Sequence, residues 1–134
     1  MPIKKKITAI SSAGAMKNTS RKPKTLTLRF RATDRENFLC IGSGKKSIET
    51  RAATSKYADI QKGDVLIFTC GKEKIVKKIK KTEHFPSVSA MFAAVGYKKI
   101  MPYAATAQEA EKVYDGYSGY KEKIRQSGIL AMWI

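Results

Sequence analysis

Apolar and polar residues alternate along the chain from position 25, and this period of two predicts a half-buried strand. The apolar members of the alternation are Leu26, Leu28 and Phe30. Residues 64–70 form a short apolar run between two glycines, and the run is rich in strand-forming side chains. It is too short for a lone buried helix and therefore predicts a central strand.

Three further segments are strand-like. Residues 45–52 alternate after a glycine turn, and residues 72–81 mix three apolar side chains with six lysines. The second pattern favours a strand with one wet face over a helix. The apolar run 129–134 predicts a final strand, because such a run at a chain end stays ordered when it pairs inside a sheet.

Helices are predicted from apolar spacing and capping residues. The first covers residues 35–41 and ends at the glycine turn 42–44. The second covers residues 87–95, with a serine at its N-cap. Thr106 and Glu109 form a T-x-x-E capping box that starts the third. Strands mixed with short helices predict an α+β fold.

Length and composition predict that the chain forms one globular domain. A chain of 134 residues has apolar material for one core, and its 43% hydrophobic and 28% charged residues are near the globular average. We expect the folded domain to span residues 25–134. No apolar stretch is long enough for a membrane span or a signal peptide, so we expect an intracellular protein, cytoplasmic or nuclear, and a monomer.

Charge changes the picture most. The chain has 27 Lys and Arg against 11 Asp and Glu, a formal net charge of +16. Nucleic acid is the commonest intracellular partner for such an excess, because basic side chains release the counterions of phosphates. An anionic membrane surface is the main competitor, and we expect no membrane partner.

Residues 1–24 hold part of this charge without any acidic residue. Their basic residues are Lys4, Lys5, Lys6, Lys17, Arg21, Lys22 and Lys24. Low hydrophobicity with charge of one sign favours a flexible arm. The arm either tracks phosphates or only aids solubility.

Cysteine usage predicts neither a metal site nor a disulfide. Cys40 and Cys70 are far apart in the sequence, and neither has a CxxC partner or a nearby histidine. We expect both to be reduced core thiols. No metal and no organic cofactor is implied.

A candidate site lies in the segment from Gly44 to Arg51, where a glycine turn precedes alternating polar and apolar residues. On a strand, Glu49 and Arg51 share one face about 6–7 Å apart, with Lys46 at the turn. Arginine holds a phosphate in a fork, lysine adds a mobile charge, and glutamate accepts hydrogen bonds or a proton. A surface ion pair is the alternative interpretation.

The order of these segments resembles the ASCH domain family. The family motif G-x-K-x-x-E-x-R falls on Gly44, Lys46, Glu49 and Arg51, and the resemblance extends over residues 28–134. It implies a small mixed β-barrel of PUA-like type with flanking short helices. It also implies a cleft beside the motif, including Lys45, that binds RNA or a nucleotide.

The resemblance also implies that the protein could be an enzyme. Some relatives resemble amidohydrolases of acetylated cytidine that use a Lys and a Thr of the motif and a later Glu from a helix. Lys46 matches, but Glu49 occupies the Thr position and the predicted helix 87–95 has no acid. If the protein is an enzyme, Lys46 and Glu49 are the catalytic candidates. A ribonuclease is a weaker alternative, because His84 is the only histidine.

Tyrosines add a stacking surface for unpaired bases. We expect Tyr114 and Tyr117 to be core residues, and Tyr120, which follows two glycines, to be exposed to ligand. The sequence thus predicts an RNA-binding or modified-nucleoside-binding domain. The alternatives are a nucleoside amidohydrolase and a protein-interaction module of a transcription or translation assembly.

Overall fold

A computed structural model describes residues 21–134, which contain six strands and four α-helices. The strands are β1 (Thr25–Phe30), β2 (Ile48–Ala52), β3 (Val65–Cys70), β4 (Glu73–Lys78), β5 (Lys81–Phe85) and β6 (Ile129–Trp133). The helices are α1 (Arg35–Ser43), α2 (Val88–Val95), α3 (Ala107–Asp115) and α4 (Tyr120–Ser127). A short 3-10 turn, Ala32–Asp34, leads into α1.

The described strands form two three-stranded sheets. In the first, of order β1-β3-β4, β1 runs parallel to β3 and β4 runs antiparallel to it. In the second, of order β2-β6-β5, both neighbours run antiparallel to β6. Consecutive strands β4 and β5 belong to different sheets, so the chain crosses from one sheet to the other at residues 79–80.

The predicted α+β class is confirmed, but the predicted small β-barrel is not closed within the described residues. On one side the sheets meet, where the Lys80 amide donates to the Trp133 carbonyl and the Gly63 amide donates to the Ile79 carbonyl. On the other side β1 and β2 do not pair with each other. A barrel needs a complete ring of ladder hydrogen bonds, and this gap interrupts it.

Strand β6 separates two apolar clusters, because successive side chains on a strand point to opposite faces. Ile129 and Ala131 pack with helices α2 and α3 in one cluster. Leu130 and Met132 pack with β1, β3 and α1 in the other. The second sheet is therefore a middle layer with helices on one face and the first sheet on the other.

Local signals located most elements correctly. Gly44 ends α1 with a φ of 84°, in the left-handed region that glycine favours. Ser87 caps α2 by accepting a hydrogen bond from the Ala90 amide at 3.0 Å. Thr106 caps α3 by accepting from the Glu109 amide at 3.1 Å, while Glu109 accepts from the Ala105 amide.

Two elements were not predicted. Strand β5 contains His84, whose Nε2 donates a 2.7 Å hydrogen bond to the Ser127 carbonyl. Helix α4 buries only Ile124. Cys70 is buried as expected, but Cys40 is only half-buried; both are free thiols.

The last residues of the predicted arm contact the domain. Arg21 forms a fork with Asp64, with nitrogen–oxygen distances of 2.8 and 2.7 Å. The Lys24 amide also donates to Asp64, at 2.9 Å. The prediction of a flexible arm over residues 1–24 otherwise lies outside the described residues. No helix between residues 21 and 134 is long and apolar enough to cross a membrane.

Candidate functional site

A cleft of about 420 Å³ lies between β1 and β2, which do not pair with each other. The end of β1 and helix α1 form one wall, and the loop between α3 and α4 forms the other. The floor is strand β2 together with Lys46, which lies two positions before it. The charged and aromatic side chains that line the cleft include Arg29, Lys46, Glu49, Arg51, Tyr117 and Tyr120.

Glu49 lies at the centre of a buried charged triad. Its Oε1 is 3.0 Å from Nζ of Lys46, and its Oε2 is 2.5 Å from Nη1 of Arg51. Only 2% of the side chains of Lys46 and Glu49 is exposed, whereas 20% of the Arg51 side chain is. Lys46 also donates to the carbonyl of Ile100 at 2.8 Å. The alternative interpretation, a surface ion pair, is wrong, because these charges form a buried network beside a cleft.

Within the triad, the pKa values of Glu49 and Arg51 are shifted in the direction that favours their charged forms. Burial alone would raise the pKa of Glu49, but the positive charges of Lys46 and Arg51 and their hydrogen bonds lower it overall. Burial alone would lower the pKa of Arg51, but the Glu49 carboxylate raises it. Two cations share one carboxylate, so the triad keeps a net positive charge.

Arg51 is fixed in place by its neighbours. Its Nη1 donates to Glu49 and, at 2.9 Å, to the carbonyl of Thr50. The guanidinium carbon lies 6.0 Å from the ring centres of both Phe30 and Tyr57, at cation–π distance. Among residues 21–134, Nε and Nη2 of this guanidinium have no partner. Those donors remain available at a rigidly held position.

Three tyrosines form the opposite wall and its support. Tyr114 is buried, and its hydroxyl makes a 2.6 Å hydrogen bond with Oγ1 of Thr50. Tyr120 stacks on Tyr114 with ring centres 6.3 Å apart, and its hydroxyl accepts from the Ala52 amide at 2.9 Å. Tyr117 meets Tyr120 edge to face at 5.4 Å. Tyr117 and Tyr120 are half-buried and line the cleft.

The rim of the cleft is polar. Arg31 pairs with Asp34 at 2.9 Å, whereas the exposed Arg29 has no partner within the described part of the chain. Asn37 also lines the cleft, and its buried Oδ1 has no hydrogen-bond partner among residues 21–134. Buried polar atoms without partners are rare in folded proteins and call for a functional explanation.

The predicted site residues divide into two groups. Lys46, Glu49, Arg51 and Tyr120 all line the cleft, whereas Gly44 and Lys45 do not. Gly44 caps α1, and Lys45 is exposed with its amide near the Ser43 hydroxyl.

Sequence reasoning missed the part of the site that comes from β1 and α1. The alternation of residues 25–31 predicts that Arg29 and Arg31 lie on the solvated face of a strand, and no local pattern indicates a role for Asn37. The available signal was the pair of arginines that flank Phe30.

A second positive region, which we call the lysine segment, covers residues 72–81. Its lysines are Lys72, Lys74, Lys77, Lys78, Lys80 and Lys81. All are exposed except the half-buried Lys77. Since β1 and β4 are the two edges of the first sheet, this segment lies at the edge away from the cleft. Among residues 21–134 no cluster of acidic, cysteine or histidine side chains could hold a metal ion.

Comparisons with known proteins define the fold more than the function. No protein-family description and no curated protein matches the chain. The crystal structure of hypothetical protein PH0355 superposes with a TM-score of 0.68 at 28% identity, over 81% of this chain and 95% of that one. The solution structure of PF0455 from Pyrococcus furiosus has a TM-score of 0.61 at 26% identity, over 84% and 94%. The chain therefore shares its small α+β fold with solved proteins.

Proposed function

We propose that the protein is an ASCH-like domain of PUA-like type that binds RNA, or a modified nucleoside, in the cleft between β1 and β2. The observation that carries the proposal is the buried triad of Lys46, Glu49 and Arg51. A charged network that is out of water is costly for a domain of this size. Because the triad lies at the floor of an aromatic-lined cleft, ligand binding explains its presence better than stability does.

The size and lining of the cleft support a ligand such as one nucleotide. Small-molecule sites have volumes of roughly 300–1,000 Å³, and this cleft, at about 420 Å³, is in the lower part of that range. Tyr117 and Tyr120 supply aromatic surface, and unpaired bases stack on such rings in single-stranded RNA complexes. Arg51 supplies fixed donors for a carbonyl or an anionic oxygen.

The geometry favours binding over hydrolysis. A general base works best with a pKa near the working pH, but the neighbouring cations hold the pKa of Glu49 below its usual value. Both carboxylate oxygens of Glu49 are also engaged, by Lys46 and by Arg51. Glu49 is therefore a weak base that acts by orienting Arg51.

Charge outside the cleft supports RNA in particular. The lysine segment and the basic residues 1–24 add a positive field that attracts a polyanion over a longer range. These side chains contribute affinity without base selectivity, because phosphate contacts carry no sequence information. The cleft supplies the selectivity.

The test compares Arg51→Gln with Arg125→Gln, since both remove one positive charge and one ion pair with a glutamate. Binding is measured by fluorescence anisotropy with short single-stranded RNAs and by calorimetry with a panel of modified nucleosides. We expect Arg51→Gln to weaken binding about tenfold and Arg125→Gln less than twofold. Circular dichroism checks that both variants fold.

Equal small losses in the two variants would refute the cleft as the binding site. Consumption of an acylated nucleoside by the parent protein would establish the hydrolase instead. If no nucleic acid and no nucleoside binds, a protein partner for the charge becomes the better explanation.

A further inference from the structure

The charges around the cleft do not balance. Four cationic residues line it, Arg29, Arg31, Lys46 and Arg51, against the two carboxylates of Asp34 and Glu49. Asp34 neutralises Arg31, and Glu49 neutralises one of the two cations of the triad. Two positive charges therefore remain at a site that has room for a single nucleotide.

Arg31 is neutralised by Asp34, and of the other three cations two offer free donors to a ligand. Lys46 is buried and already shared between Glu49 and the Ile100 carbonyl. Arg51 uses Nη1 for its protein contacts, so Nε and Nη2 stay open among the described residues. Arg29 is exposed at the end of β1 and has no partner there. The uncompensated charge is thus offered by two guanidinium groups.

The geometry points to a phosphate subsite, and we propose that the cleft binds a nucleotide through its phosphate, using Arg29 and the open edge of Arg51. Guanidinium groups match phosphate oxygens with paired N–H donors. The attraction between a guanidinium and an anion is also stronger in a partly enclosed cleft, because the effective dielectric constant is lower there than in water. The proposal rests on the proposed function and makes it more specific. The preferred ligand is a phosphorylated nucleotide or an RNA residue with its phosphate.

The two arginines have different tasks. Arg51 is held between two rings and against Glu49, so its position is set before the ligand arrives. Arg29 is on an exposed strand position and is free to close on the phosphate from the rim. Removing Arg29 should therefore reduce the advantage of the phosphate while the fold is kept.

The experiment measures, by calorimetry at low salt, the affinities of the four ordinary ribonucleosides and of their 5′- and 3′-monophosphates. The proteins are the parent chain, Arg29→Gln and the control Lys74→Gln, which removes one exposed charge from the lysine segment. For the parent we expect at least one monophosphate to bind about tenfold more tightly than its nucleoside. In Arg29→Gln this ratio should fall below about threefold, while Lys74→Gln keeps the parent ratio.

The outcomes separate the phosphate subsite from the proposed function. Equal affinities of nucleoside and monophosphate for the parent would overturn the subsite and leave nucleoside binding in place. A phosphate advantage that persists in Arg29→Gln would overturn the assignment to Arg29. If the parent binds short RNAs but no mononucleotide, the subsite is wrong although RNA binding stands. If it binds neither, both proposals fail.

Discussion

The cleft and the lysine segment carry charge of the same sign but hold it in opposite ways. In the cleft, Lys46 and Arg51 are fixed against a buried carboxylate, two aromatic rings and backbone carbonyls. In the lysine segment most side chains are exposed, and the Lys81–Glu83 pair is long, at 3.8 Å. Buried charges depend strongly on each partner, whereas solvated charges act as a diffuse field. The predictions below test this difference.

The largest expected effect is on folding, from removal of the carboxylate that two buried cations share. Glu49→Gln should lower the free energy of unfolding by about 3 kcal/mol, because it leaves Lys46 and Arg51 without a counter-charge out of water. Urea unfolding measures the change. The control Glu122→Gln breaks an exposed ion pair with Arg125 and should cost less than about 1 kcal/mol. Equal losses would mean that the triad is as well solvated as the surface.

Loss of the contacts of a second buried carboxylate, Asp64, should have a somewhat smaller effect on the free energy of unfolding. Deletions that keep or remove these contacts test where the arm ends. Asp64 accepts hydrogen bonds from Arg21 and from the amides of Lys24 and Gln61. Deletion of residues 1–20 should leave the unfolding free energy unchanged. Deletion of residues 1–24 should lower it by about 2 kcal/mol, since a buried acceptor loses its charged partner. If both truncated chains are equally stable, Arg21 contributes nothing to the domain.

Lowering the pH should remove part of the stabilisation that Glu49 and Asp64 provide. The pKa values of Glu49 and Asp64 are lowered in the folded state, and burial opposes the shift in both cases. Their stabilisation is complete above the unfolded pKa of about 4 and is lost as the pH falls through the lower folded values. Melting temperatures from pH 7 to pH 3 should fall, and Glu49→Gln should show a shallower dependence than the parent.

The smallest effect is expected for single lysines of the lysine segment. Lys78→Ala should change the unfolding free energy by less than about 0.5 kcal/mol and RNA affinity by less than twofold. The log–log dependence of affinity on salt should remain steep, at roughly 0.7 per phosphate contact. A loss from Lys78→Ala as large as that from Arg51→Gln would remove the distinction between the two regions.

Local sequence signals predicted the elements whose ends depend on a few neighbouring residues. Gly44, Ser87 and Thr106 marked helix ends because each satisfies backbone geometry or hydrogen bonds within one turn. Alternation also placed Glu49 and Arg51 on one face of a strand, and the structure confirms it. Such features need no knowledge of the rest of the chain.

The rest depended on partners far away in the sequence. Strand β5 exposes three of its five side chains, Lys81, Glu83 and His84, and exists because it pairs with β6. Helix α4 has too few apolar residues to show a stripe. The burial of Lys46 depends on Ile100, which is 54 positions further along. No local pattern encodes contacts of this kind.

Strand β6 also sets an order of events during folding. Within residues 21–134, β2 pairs only with β6, and Ile48 lies opposite Trp133, 85 positions away. The β3–β4 hairpin, by contrast, closes through a two-residue connection and can form early. Long loops close slowly because their entropy is lost before any contact repays it. We therefore expect the strand that carries Glu49 and Arg51 to become ordered late, and the rate at which the cleft appears in refolding to follow the docking of β6.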